Sequence, residues 1–223
     1  ITAAHIDSPR VDLKQRPLYE DNELALFKTH YYGGVKKYQW TAIPLSLHGV
    51  VITGSGETVT VCIGEEEGDP VFCITDLLPH LAQDQMKRTL AEGIKGEEMN
   101  ILVGSYPFRE EEASERVKLN IMKLLYEKYG IVEADLLSAE LELVPAFCAR
   151  DLGFDRSMIA AYGQDDRVCA YTALTAAMET RNPKRTLVCC LTDKEEIGST
   201  GNTGLQSAYL RYFIAELAKA SGV

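Results

Sequence analysis

The chain has 223 residues, 46% of them hydrophobic, and carries 23 Lys+Arg against 33 Asp+Glu, a formal net charge of −10. That is enough for one large domain or two small ones, and the acidity argues against a general nucleic-acid or anionic-membrane binder, whose affinity rests on clustered positive charge. No apolar segment approaches the roughly 20 residues that span a bilayer, and the opening residues lack the charged-then-apolar pattern of a signal peptide.

Residues 1–9, ITAAHIDSP, form a short apolar entry that delivers His5 and Asp7 and turns at Pro9. The H-x-D spacing puts both side chains on one side of an extended strand. Such a histidine can bind a metal through one ring nitrogen while a carboxylate holds the other; the alternative is a histidine in a polar turn. Residues 28–40, KTHYYGGVKKYQW, are dense in aromatics and bases around Gly33-Gly34. In so acidic a chain they read as a hairpin or crossover with packing aromatics, not as a nucleic-acid patch. Strands are expected over 41–53, 58–63 and 70–75, close enough together to form an antiparallel β unit.

Residues 77–94 have mixed helical character, with His80 just after Pro79. A long helix is expected over about 110–129, where Val117, Ile121, Leu124 and Leu125 recur at helical spacing and Gly130 makes a natural stop. The acidic run 110–112 suits its N-terminus. Residues 139–144 alternate as a half-exposed strand should. Asp165 and Asp166 precede a helix over 168–180, and Asp165 is open to two readings, a helix cap or a metal ligand. The apolar run 186–191 then reads as a buried parallel strand. It delivers residues 192–200, TDKEEIGST, with Glu195 and Glu196 where a strand gives way to a loop. A further helix is expected over 205–219.

This order predicts an α/β fold with a mainly parallel sheet, residues 1–15 and 136–223, interrupted by an inserted β-rich and helical unit, residues 16–135. The six cysteines, Cys62, Cys73, Cys148, Cys169, Cys189 and Cys190, show no C-x-x-C spacing. They predict free buried thiols and a reducing, cytoplasmic compartment. Both ends read as cut: Ile1 starts inside a strand, and the chain stops directly after a helix. A piece of something longer is expected.

Each acidic pair alone has a plain explanation as solvated surface, because Glu is rarely buried without a partner. Together, His5 with Asp7, Asp165 with Asp166, and Glu195 with Glu196 all fall where strands meet loops, the edge at which α/β sheets bind ligands. His and carboxylate donors suit Zn²⁺, Co²⁺ or Mn²⁺, and a bridging carboxylate can hold two ions ~3.5–4 Å apart. A neighbouring glutamate can then move a proton from water to a leaving amine.

The pieces HIDSP, YYGG, PHLA around His80, DDR at Asp165 and DKEEIGS at 193–199 resemble, in the same order, those of the M18 metallo-aminopeptidases, the family of aspartyl aminopeptidase and vacuolar aminopeptidase I. The resemblance implies a zinc-exopeptidase-like α/β domain that removes single N-terminal residues from peptides. His5 would bind one of two divalent ions (Zn most readily, with Co or Mn as alternatives), Asp165 would bridge both, and Glu196 would bind the other. Asp7 would orient His5 and Glu195 would be the general base. The inserted unit would be a dimerisation or lid domain, with His80 reaching substrate in a neighbouring subunit of a homo-oligomer, the family's tetrahedral dodecamer. A locally packed histidine is the other reading of His80.

Asp166 departs from the Asp-Asn common in that family and looks more like M42 peptidases. The downstream carboxylate and histidine that the family uses as further ligands have no counterpart after Glu196, so this chain alone is expected to be inactive. Two other readings stay open. One is an M42-like metallopeptidase of different specificity, against which the HxDSP spelling and the long insertion speak. The other is a catalytically silent assembly or binding module.

Overall fold

Alternation makes residues 140–145 a strand, with Leu141 and Leu143 buried and Glu140 and Glu142 turned toward solvent. The same period of two puts Val61 and Ile63 inside and Thr58, Thr60 and Cys62 outside over 58–63. The computed structural model describes residues 1–109 and 112–222. In chain order the elements are β1 (Thr2–His5), β2 (Arg10–Asp21), β3 (Leu24–Tyr32), β4 (Leu45–Ile52), β5 (Thr58–Ile63), β6 (Cys73–Ile74) and β7 (Ile101–Gly104). There follow α1 (Arg116–Tyr129), β8 (Glu140–Pro145), β9 (Arg150–Leu152), β10 (Met158–Ala160), α2 (Gln164–Glu179), β11 (Cys189–Thr192) and α3 (Tyr209–Ala220). Short 3-10 turns lie between several of them.

The chain divides into two compact units. One comprises Ile1–Pro9, Tyr32–Gly34 and the residues from Ala149 onward; the other comprises Arg10–Tyr31 and Val35–Cys148. In the first, β1 and β11 pair in parallel with His5 opposite Thr192, and β9 and β10 form an antiparallel pair. In the second, a seven-stranded sheet runs β5-β4-β8-β2-β3-β7-β6. Its β4–β5, β4–β8, β2–β8, β3–β7 and β6–β7 pairings are antiparallel. Leu47 stands opposite both Ile63 and Leu143, and Val11 also opposite Leu143, so one apolar face closes into the core.

The mixed α/β character expected from the sequence is present: among the described strands the parallel ladder is β1 with β11, isolated parallel bridges join Thr41 to Ile74 and Asp193 to Gly204, and antiparallel pairing dominates the inserted unit. Its borders differ from 16 and 135. β8 had been expected in the α/β portion, but it hydrogen-bonds to β2 and β4 and carries the insert to Cys148; Arg10 opens the insert. A strand's partners are not written in its own pattern.

Residues 77–94 form no α-helix. They make hydrogen-bonded turns and one 3-10 turn, Gln85–Lys87. Leu77, Leu78, Leu81, Met86 and Leu90 are all exposed, so no packed apolar face supports a helix there. α1 starts at Arg116, six residues after the expected start; Glu110 and Glu111 lie outside the described residues, and Glu112 precedes the helix. The acid at its N-terminus is instead Glu20 of β2, whose carboxylate accepts the Val117 and Lys118 N–H groups at 2.8 and 3.0 Å. Val117 is buried, Leu124 is exposed, and Gly130 closes the helix at φ 71° with its N–H on the Tyr126 carbonyl.

The cysteines are free, but none is buried: Cys62, Cys148 and Cys169 are exposed and the other three are half-buried. Cys62 takes an outward position in the alternation of β5. No described helix is long and apolar enough to cross a membrane.

Candidate metal centre and active site

All parts of the site belong to the first unit. β1 ends on His5, and the chain turns at once so that the His5 ring meets Asp7 twice. Its Nδ1 lies 3.0 Å from the Asp7 backbone carbonyl and 3.3 Å from carboxylate Oδ1. On its other side, His5 Nε2 is 3.2 Å from Asp165 Oδ1 and 3.8 Å from Glu195 Oε2. The Asp165 carboxylate is thus engaged with the His5 ring. Gly163 occupies the N-cap of α2, Asp165 and Asp166 depart from helical backbone angles, and the Ser8 hydroxyl donates to the Asp165 carbonyl at 3.2 Å.

Glu195 and Glu196 sit on a 3-10 turn, Glu195–Ile197, just after β11. Lys194 enters it and Gly198 leaves it, both with left-handed backbone. The turn is fastened by Asp7: the Glu195 N–H donates to Oδ1 and the Glu196 N–H to Oδ2, each at 3.2 Å. The sequence predicts Asp7 as a partner of His5; in the structure it holds both His5 and the glutamate turn. Its side chain is 1% exposed.

His5, Asp165 and Glu196 each present one ligand atom, and the three atoms lie within 4.8 Å of one another. Donors about 2.0–2.1 Å from a tetrahedral zinc ion stand about 3.3 Å apart, and His5 Nε2 to Asp165 Oδ1 fits that spacing. The donor set is imidazole plus two carboxylates, suited to zinc and its neighbours. Glu195 stays outside this group with its side chain 56% exposed, next to the His5 ring. Asp166 does not join the three; its carboxylate lies beside the Cys169 thiol and pushes that thiol's pKa up.

Electrostatics follow from the crowding of acids. Burial raises the pKa of Glu196, and the Asp165, Asp7 and Glu195 carboxylates push the same way, against His5. Burial works against protonated His5, but the Asp7 carbonyl and the carboxylates of Glu195, Asp165 and Asp7 outweigh it and leave the ring above its usual range. Burial would also raise Asp7, yet the Tyr32 hydroxyl and the Glu196 and Glu195 amides hold it below the usual carboxylate range.

Two participants escaped the reading of the sequence. Tyr32 is buried and its hydroxyl donates to Asp7 Oδ2 at 2.7 Å. Gly33, at φ 75°, passes so close to Glu196 that a Cβ there would lie 3.0 Å from Glu196 Cβ and 3.2 Å from its Oε2. The YYGG segment carries the signal, but aromatics and glycines there are equally expected for packing and turn-making. His80 belongs to the other unit, exposed on the turn where the Leu81 N–H meets the Leu78 carbonyl.

Comparison with known proteins finds relatives along the whole chain. The probable M18 family aminopeptidase 1 of Clostridium acetobutylicum is 54% identical over 222 residues, covering 100% of this chain and 48% of that protein. The crystal structure of an M18 aminopeptidase from Thermotoga maritima superposes with a TM-score of 0.94 at 49% identity, over 99% of this chain and 48% of that one. A more distant neighbour, the S. cerevisiae mApe1 dodecamer, shares the fold at 21% identity and a TM-score of 0.68, over 98% of this chain and 49% of its own. The chain thus spans about half the length of the curated relatives it matches. The sequence profile described as Aminopeptidase I zinc metalloprotease (M18) matches residues 1–222, and the chain belongs to that family.

Proposed function

We propose that the complete gene product is a metal-dependent aminopeptidase that removes single N-terminal residues from peptides, with His5, Asp165 and Glu196 as metal ligands and Glu195 as general base. The observation that carries this reading is the convergence of three ligand atoms within 4.8 Å beside the Glu195 carboxylate. His5 would hold one ion and Glu196 a second, and Asp165 would contribute to both. The ions, when bound, supply Lewis acidity toward the scissile carbonyl and make water a stronger acid. Glu195 takes the proton of the attacking water and returns it to the leaving amine, a role that suits an exposed carboxylate able to reach solvent. Asp7 keeps the His5 ring oriented with Nε2 facing the ligand cluster.

Three donors fall short of what two ions need, so we read these residues as part of a larger ligand set and expect residues 1–223 alone to be inactive. The zinc name of the family supports a metal cofactor; zinc itself, in two copies, is our assignment. A homo-oligomer, the tetrahedral dodecamer of the family resemblance, is proposed on the precedent of the mApe1 dodecamer, with the second unit, Arg10–Tyr31 and Val35–Cys148, as the dimerisation unit and His80 offered to a neighbouring subunit's substrate. The six free cysteines support a cytoplasmic location.

A release assay on the complete gene product tests the proposal. It uses peptides with N-terminal Asp, Glu, Leu, Met and Lys, with Zn²⁺, Mn²⁺ or Co²⁺ and with a chelator. Chelator-sensitive release of single residues is expected; an absence of cleavage under every metal, from a folded protein, overturns it.

A further inference from the structure

We propose that Tyr32 and Gly33 are positioning residues for the metal centre: Tyr32 locks the carboxylate that aligns His5 with the glutamate turn, and Gly33 sets how close that turn can come. The inference rests on the metal-centre reading above and assigns the YYGG segment a task within it.

Asp7 is the hub. One nearly inaccessible carboxylate faces the His5 ring through Oδ1, accepts the Glu195 amide on the same oxygen, and accepts the Glu196 amide on Oδ2. Those contacts are long, at 3.2–3.3 Å. The Tyr32 hydroxyl, at 2.7 Å on Oδ2, is the short one and therefore the one that fixes the rotation of the carboxylate plane. Turning that plane would release both glutamate amides together and remove the carboxylate from the His5 ring, which would keep only its 3.0 Å contact to the Asp7 backbone carbonyl.

Gly33 acts on the same turn from the next position in the chain. With no side chain, it lets its backbone lie against Glu196, where a methyl group would meet the Glu196 Cβ at 3.0 Å. The Lys194 ammonium, at the start of the turn, lies 5.9 Å from the Tyr32 ring centre. Tyr32 and Gly33 thus touch the turn through a shared carboxylate, through its leading lysine and through Glu196 itself. A merely space-filling tyrosine would have no use for the hydroxyl, and a merely turn-making glycine would have open space beside it.

Tyr32→Phe tests the lock because it deletes the hydroxyl and keeps the ring. Two measurements on the complete gene product separate the possibilities. In the metal-free protein, hydrogen exchange of a peptide covering 193–199 is expected to speed up, with the melting midpoint essentially unchanged. In a zinc titration against a chromogenic chelator, affinity is expected to weaken about 10–100-fold, the scale for losing a partner that orients a ligand. Gly33→Ala, which leaves Asp7 and Tyr32 intact, is expected to weaken zinc binding in the same direction by displacing Glu196. Tyr31→Phe, at a half-exposed neighbour, is expected to match wild type in both.

Unchanged exchange and unchanged zinc affinity in Tyr32→Phe overturn the inference. So does a loss of zinc binding that merely tracks a fall in melting midpoint, which would make Tyr32 an ordinary core residue. A wild-type protein that takes up no divalent ion overturns the metal centre and this inference with it, whereas zinc-binding wild type with an equally competent Tyr32→Phe removes the inference alone.

Discussion

Leu143 and Asp7 are both buried, at 0% and 6% exposure, yet what surrounds them differs in kind. Leu143 sits between Leu47 and Val11 on neighbouring strands, in a sheet whose buried side is lined by Leu45, Val61, Ile63 and Ile101. Asp7 sits among a hydroxyl, two amides and an imidazole. In the first unit, among the described residues, only Ala4, Tyr32 and Ala170 join the buried apolar set. Non-directional apolar burial surrounds Leu143; directional bonds to a single carboxylate surround Asp7. The lesson is that stability and chemistry are written in separate places and in separate interactions, so substitutions should separate them.

The largest separation is expected from Glu195→Gln in the complete gene product. Turnover should fall about 10²–10⁴-fold, the usual worth of a general base, while zinc content and melting midpoint stay put; equal loss of zinc would exchange the roles of Glu195 and Glu196. Leu143→Ala should do the reverse. A cost of about 2–5 kcal/mol in denaturant unfolding is the scale for truncating a fully buried leucine, with kcat per folded molecule preserved. His80→Phe is the variant best able to blur the division, since it alters the sheet-containing unit but is aimed at turnover. Loss of one substrate hydrogen bond predicts about a tenfold fall in kcat/KM with no change in stability or oligomer size; wild-type kinetics would return His80 to a locally packed role.

The smallest effect concerns Glu65. Hydrogen bonds from the Ser46 hydroxyl at 2.9 Å and the His48 ring at 2.9 Å hold its carboxyl below the usual range. A depressed carboxylate contributes stability that is complete above the ordinary value of about 4.3 and is lost as the pH falls through the lower folded value. Glu65→Gln should therefore flatten the acid limb of the stability curve. The pair is partly exposed and screened, so a change under about 1 kcal/mol is expected, read from urea midpoints at pH 3 and pH 7.

Sequence carried the strands of the inserted sheet well wherever the period of two was clean, as in β5 and β8. It also carried the types of residue that make the site, because His5, Asp165 and Glu196 each stand at a break between regular elements. What it did not carry were relations between distant positions. Asp7 and the Glu195 amide are 188 residues apart, and nothing local marks a carboxylate that will cap a turn so far along the chain. β8 was legible as a strand but not as a member of its sheet. Residues 77–94 have helical spacing without the packed face that would make it pay, and so form turns.

The Glu20 contact to α1 has a consequence for the order of folding. At 14 residues α1 is short enough to be marginal by itself in water, and the carboxylate that satisfies its leading amides lies 97 residues upstream. The helix therefore gains that cap only when β2 closes a long loop back to residue 117, a contact of high order, and a ribosome-bound chain that ends before α1 would carry Glu20 with its eventual partner not yet made.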